Sequence, residues 1–230
     1  MFPAEPFAPS RFQPEPCGRA ARAAPPFDDT LASNAPMRSM TQLLLVVTVG
    51  VSLLAFATGG ALFDLLALWP VGGGFSPWQL LTYALLHGGL LHLAFNMYGL
   101  WMFGSELERL WGPRRLLQYY VVCVLVAGAV QLVVASESPI PYPTVGASGG
   151  LFGLLLGYAM LFPNRTIMLL IPPIPMPAWL FAVVFGALEL TLGLSGTQSG
   201  IAHFAHLGGM LGGWLMLRYW RGQPPFRRSR

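Results

Sequence analysis

Six long apolar runs whose intervening arginines fall in alternate connections are what most restricts this chain. The runs cover 41–58, 90–108, 116–135, 148–162, 178–194 and 200–220. In lipid every backbone polar group must be satisfied within the segment, so runs of this kind can only be helices. The chain has thirteen arginines and no lysine. Arg11, Arg19, Arg22 and Arg38 precede the first run, Arg109, Arg114 and Arg115 follow the second, and Arg165 follows the fourth. Arg218, Arg221, Arg227, Arg228 and Arg230 end or follow the sixth. The opposite connections, 59–89, 136–147 and 195–199, hold none. A wrong number of crossings would scatter this pattern, and the positive-inside rule then puts both termini in the cytoplasm. The composition agrees, with 54% hydrophobic and 10% charged residues, whereas soluble domains carry about 25% charged. The expected fold is therefore an all-α membrane protein, a bundle of six transmembrane helices.

The flanks and loops divide the chain further. Residues 1–38 are rich in Pro and Ala without apolar periodicity, and are expected to be a disordered cytoplasmic tail. Residues 39–221 form the six-span domain and 222–230 a basic cytoplasmic tail. The first apolar run starts near Leu43, behind a tail too long for an n-region, so no cleavable signal peptide is expected. The stretch 61–86 contains Pro70, Gly72, Gly73, Gly74 and Pro77. It is too broken to span and too apolar for an ordinary loop, and Trp69 and Trp78 suit the headgroup level, so it is expected to lie in the interface. Cys17 and Cys123 sit in a polar tail and an apolar helix, which implies no disulfide framework.

The chemistry concentrates at the mouth of the fourth run, Thr144-Val145-Gly146-Ala147-Ser148-Gly149-Gly150. Gly146-x-Ser148-x-Gly150 matches the nucleophile elbow, but that motif needs a preceding strand, and Pro139, Pro141 and Pro143 forbid a central one. What remains is a serine at the outer start of a short membrane helix. His92 opens the second run and His203 and His206 open the sixth, all from the outer side, with Asn96 one turn below His92. Histidine titrates near neutral pH and suits a general base. His206 is the preferred partner of Ser148, because Gly209 and Gly213 share its face. Gly149, Gly153 and Gly157 form a matching small-residue stripe on the fourth run. No carboxylate sits at that depth on either helix, so the pair is read as a dyad. Candidate oxyanion donors are His92, Asn96 and the Ser148 backbone N–H.

These features resemble the rhomboid family of intramembrane serine proteases over roughly residues 41–220. The carriers are His92-x-x-x-Asn96, Gly146-Ala147-Ser148-Gly149 and Ala205-His206-x-x-Gly209, in that order. The resemblance implies catalysis by Ser148 and His206 in a water-filled cavity, an oxyanion site including His92 and Asn96, and cleavage of transmembrane substrates after a small residue. It implies a semi-embedded first outer loop at 61–86, a lateral gate involving 178–194, and a Glu108-x-x-x-Gly112 motif ending the second span. Two positions depart from the family pattern: Gln79 follows Trp78 where arginine is common, and Phe152 stands where a tyrosine often stacks on the catalytic histidine. His87 and His203 are expected to support the cavity, and Trp101, Phe103 and Trp111 to be core or lipid contacts. Glu189 is left open between a cavity-facing, a paired and a protonated carboxyl.

Three competitors are weighed against this. A metal site would use His203 and His206, but no cysteine or nearby carboxylate is apparent as a third ligand, so no metal or cofactor is expected. A transporter would bring inverted repeats, and none is visible. A silent relative that binds membrane clients would lack Ser or His, and both are present. The expected partners are transmembrane substrates and the bilayer, with no nucleic acid; the oligomeric state stays open. The compact six-span form suits a bacterial inner membrane. A neutral imidazole is required, so activity is expected to fall on acidification between about pH 8 and 5.

Overall fold

The first helix, α1 (Met40–Ala57), turns an unusual face inward. Its buried residues are Thr41, Thr48, Ser52 and Ala55, while Val46 is 71% exposed. Small and weakly polar groups pack against protein and large aliphatics face outward, the arrangement expected when lipid rather than water surrounds the bundle. The computed structural model describes residues 39–58, 60–138, 141–168, 173–195 and 202–226. The tail expected at 1–38, and the last four residues of the one expected at 222–230, lie outside them.

Three short elements follow: α2 (Ala61–Leu66), α3 (Gln79–Thr82) and a 3-10 turn (Tyr83–Leu85). Gln79, 2% exposed, joins them. Its Oε1 accepts from the backbone N–H groups of Trp69 (3.2 Å) and Ser76 (3.1 Å), and its Nε2 donates to the carbonyls of Leu65 and Gly74. The amide at this departure from the family pattern is thus the organising group of the loop. The chain then bends by 100° into α4 (Leu90–Trp111).

Gly112 separates α4 from α5 (Pro113–Ser136) with φ +77°, a left-handed conformation that glycine tolerates at a helix end, followed by proline at the next helix's first position. Glu108 ties this end of α4 to the start of α1. Its carboxylate accepts from Ser39 Oγ, the N–H groups of Met40 and Thr41, and Thr41 Oγ1, all at 2.6–2.9 Å. The first-turn N–H groups of α1 lack intrahelical partners, so a carboxylate there satisfies them.

After α5 come α6 (Ser148–Leu161), α7 (Ala178–Ser195) and α8 (His203–Trp220). A two-stranded antiparallel sheet joins α6 to α7: β1 (Thr166–Met168) pairs with β2 (Pro175–Pro177), Ile167 opposite Met176. This pairing was not legible in a proline-rich run. By length and hydropathy α1, α5 and α7 are sufficient to cross a membrane on their own, and the bent pair around α3 and α4 makes a fourth candidate; α6 is a shorter apolar helix. The fold is mostly helical and that of an integral membrane protein.

The core lies where α5, α6 and α8 meet, and glycine sets their spacing. A Cβ on Gly209 of α8 would collide with the Gly149 carbonyl of α6, and one on Gly153 would lie 2.8 Å from the Gly209 oxygen. A Cβ on Gly213 would lie 3.0 Å from the Gly153 oxygen. Tyr119 of α5 closes the contact, its hydroxyl donating to the Gly153 carbonyl at 2.9 Å. Phe103 is buried and Trp111 packs on Tyr119 and Trp220, whereas Trp101 is 57% exposed.

Candidate active site

Ser148 is the first residue of a helix only 14 residues long. At 1.5 Å per residue that is about 21 Å, well short of a ~30 Å hydrocarbon core. The helix therefore starts inside the bundle, and the irregular segment above it must be satisfied by protein. Leu68 and Thr144 exchange both backbone hydrogen bonds, at 3.0 and 2.9 Å, and the Gly146 N–H donates to the Tyr83 carbonyl at 3.0 Å. Gly146 has φ +129°, and a Cβ there would sit 3.0 Å from His92 Cε1 and 3.5 Å from Ser148 Oγ. Only glycine supplies this backbone turn while leaving room for both side chains.

The close approach of α6 and α8 brings Ser148 Oγ within 2.7 Å of His206 Nε2. Phe152, one turn below the serine, lies parallel to the imidazole, with centroids 4.4 Å apart and planes 4° from coplanar. The ring expected at this position is in place, so stacking fixes the imidazole plane without a hydroxyl. His206 is buried and Ser148 half-buried.

Glu189 comes to the same point from α7. Its Oε2 lies 2.8 Å from His206 Nδ1 and 2.6 Å from His203 Nδ1. The contact to His203 has hydrogen-bonding geometry, whereas the one to His206 is within distance but off line. Neither α6 nor α8 carries a carboxylate at this depth; the neighbour is on a third helix, so of the alternatives left open for Glu189 the structure shows the paired one, which only its charge inside an apolar run signalled. The metal argument is corrected on this ground, since Glu189, His203 and His206 are close enough to share an ion.

The remaining site residues lie near the start of α4. His92 is exposed and meets His87 edge to face at 5.0 Å. His87, 1% exposed, takes a structural position: its Nδ1 is 3.0 Å from Ser52 Oγ and its Nε2 accepts from the Ala147 N–H at 3.5 Å. Asn96 is buried and donates through Nδ2 to the His92 carbonyl at 2.8 Å, leaving Oδ1 without a partner among the described residues. An amide has two N–H donors, so one remains for a ligand. Asn96 and Ser148 open onto a cavity of about 420 Å³ that runs between α4 and α7 and is walled by Met102, Phe152, Phe181 and Phe185. The only described cysteine, Cys123, is buried and free.

Fold and site together define an integral membrane protein with a serine–histidine contact set inside its helical bundle, beside an apolar cavity. Residues 74–222 match the Rhomboid domain family, and the chain belongs to that family. It is similar to Rhomboid protease GluP of Bacillus subtilis, 34% identical over 138 residues, which are 59% of this chain and 24% of that protein. It is also similar to Rhomboid protease GlpG of Pectobacterium atrosepticum, 30% identical over 184 residues, 79% of this chain and 62% of that protein. A third relative is Rhomboid protein 1, mitochondrial, of Saccharomyces cerevisiae, 32% identical over 135 residues, 56% and 38% of the two chains. The chain thus spans less than two thirds of the length of each of these relatives.

Proposed function

We propose that this protein is an intramembrane serine endopeptidase that cleaves transmembrane segments of membrane proteins through Ser148 and His206. The observation that carries this reading is the 2.7 Å contact between Ser148 Oγ and His206 Nε2 beside an apolar cavity. Membership of the rhomboid family, and relatives named as rhomboid proteases, support it. In this reading residues 39–221 are the protease domain, six spans cross a bacterial inner membrane, and both termini are cytoplasmic.

The chemistry follows from the placements. A substrate helix enters laterally between α4 and α7, and its top unwinds, because helical carbonyls are bonded and shielded. The Ser148 oxygen attacks the exposed carbonyl as its proton passes to His206 Nε2. The developing oxyanion is held by the Ser148 N–H at the unsatisfied start of α6, the free Asn96 N–H and His92. His206 then gives its proton to the leaving amine, and water resolves the acyl-enzyme by the same route. His87, His203 and Phe152 support the cavity.

The test is reaction of the purified protein with a serine-directed fluorophosphonate and cleavage of a single-span substrate, beside Ser148→Ala and His206→Ala. The parent alone is expected to label and cleave, with each variant lowered at least ~10³-fold. Equal labelling of parent and Ser148→Ala would put the nucleophile elsewhere. A folded parent that neither labels nor cleaves would favour the client-binding alternative.

A further inference from the structure

Glu189 is out of character with the helix that bears it. Of the residues of α7, Ala178, Ala182 and Glu189 are the buried ones, while Val183, Leu190 and Leu194 face outward. A helix that exposes its aliphatics to lipid and buries its one carboxylate has that carboxylate for a purpose, since desolvating a charge is costly unless it is compensated. The compensation is visible. Both neighbours present Nδ1, His203 at 2.6 Å and His206 at 2.8 Å, to the same oxygen, Oε2. The approach is built into the backbone. One turn beyond Glu189, a Cβ on Gly193 would lie 3.2 Å from His203 Cβ, so glycine there lets the start of α8 close on α7.

We propose that Glu189 is a positioning residue for His206, making the site a Ser148–His206–Glu189 relay; this rests on the protease reading above. A ring nitrogen facing a carboxylate at 2.8 Å carries the proton. With the proton on Nδ1, the Nε2 facing Ser148 has its lone pair free, which is the tautomer a general base needs. Serine attack forms the Oγ–C bond as the Oγ–H proton moves to Nε2, and the carbonyl electron pair moves to oxygen. The imidazolium so formed lies against the carboxylate, which stabilises it without taking its proton. Breaking the C–N bond sends the Nε2 proton to the amine and restores the neutral ring. His203 holds Oε2 from the far side through a well-directed bond, and Phe152 restrains the ring plane. A small rotation of the Glu189 carboxylate, as the site fills, brings the off-line contact to His206 into line.

The same three groups have the make-up of a metal site, and distance decides between the readings. Tetrahedral zinc with ligand bonds of about 2.0–2.1 Å separates ligand atoms by about 3.3 Å. The 2.6 Å contact to His203 is that of a shared proton, and 2.8 Å to His206 is likewise shorter than two ligands of one zinc ion allow.

The experiment compares parent, Glu189→Gln and Glu189→Asp in detergent, measuring kcat and KM on one transmembrane substrate, fluorophosphonate labelling rate and melting temperature. Glu189→Gln is expected to lower kcat and labelling rate by about 10²-fold or more at nearly unchanged KM, since the amide no longer selects the tautomer. Glu189→Asp is expected to recover at least about tenfold of this, because it restores the carboxylate. Glu189→Gln introduced into Ser148→Ala should change the residual rate by less than about twofold, as members of one unit are not additive. A kcat for Glu189→Gln within about threefold of the parent would overturn the proposal. So would a loss carried in KM, a loss tracking the melting temperature without recovery in Glu189→Asp, or a parent inactivated by a chelator. A parent that does not cleave at all refutes the protease reading itself; a parent that cleaves while Glu189→Gln keeps pace refutes only the relay.

Discussion

Adding one methyl group at Gly153 should separate Ser148 from His206. A Cβ at this position would collide with Cys123 Sγ of α5, and would lie 2.6 Å from Cys123 Cβ and 2.8 Å from the Gly209 carbonyl oxygen of α8. Carbon–oxygen contacts settle at about 3.3–3.6 Å, so α6 must move off α8 by roughly 0.5 Å. The Cys123 thiol is fully buried and short, and the Gly209 oxygen is backbone, so the helices themselves must give. The contact between Ser148 and His206 is 2.7 Å, and widening it to about 3.2 Å takes it past the usual range of an O–H donor. Misplacement by a full ångström can cost about 10²-fold, so a loss of about tenfold or more in rate is expected for half that shift. Overpacking should add about 1–3 kcal/mol of destabilisation. The assay is the rate of fluorophosphonate labelling of Gly153→Ala, with melting temperature measured on the same sample. Gly50→Ala is the control, since a Cβ on that α1 glycine has nothing within 4 Å. Parent-like labelling by Gly153→Ala would refute the view that glycine contacts between α6 and α8 set the Ser–His distance.

Three further perturbations separate support from chemistry. Gln79→Ala strands the partly buried N–H groups of Trp69 and Ser76, and should cost about 1–2 kcal/mol of stability; an unchanged melting temperature would remove Gln79 from its organising role in the first loop. Glu108→Ala deletes the acceptor for Ser39, Met40 and Thr41. A loss of about 2–3 kcal/mol is expected, with Glu108→Gln recovering part of it, and equal stability of all three forms would contradict the cap. Phe152→Ala removes the ring stacked on His206. Labelling should slow about tenfold, whereas Phe152→Tyr should stay near the parent; a fast Phe152→Ala would mean that stacking does not restrain the imidazole.

How much of this was legible in the sequence depended on whether the signal was local. Apolar runs and the arginine pattern are local, and helices occupy each of the stretches read as spans. The meeting of Ser148 and His206 was legible because glycine at every fourth position on two runs implies close backbones, whichever way the loops go. Gln79 was read only as an absent arginine, since its four backbone partners come from loop segments whose arrangement no periodicity reports. The β1–β2 pairing lay hidden among prolines that argue against a strand. Glu189 was conspicuous as a charge but could not be paired, because its partners are set by the rotation of α7 relative to α8.

If the protein cleaves membrane segments as proposed, the position of Glu189 also restricts how a substrate would enter. The α7 window is 17% buried, against 44% for α5, so α7 is the more lightly held wall of the cavity. Yet the two parts of α7 do different things. Phe181 and Phe185 line the apolar space reached from the side, whereas Glu189 and Gly193, one and two turns further on, contact His206 and the start of α8. Swinging α7 outward as a whole would break the 2.8 Å approach to His206 when the base is needed. Displacing only the Phe181–Phe185 part, or turning those two rings, admits a helix and leaves the carboxylate in place. In the proposed mechanism, substrate entry and proton transfer could share one helix because their contacts lie at opposite ends of it.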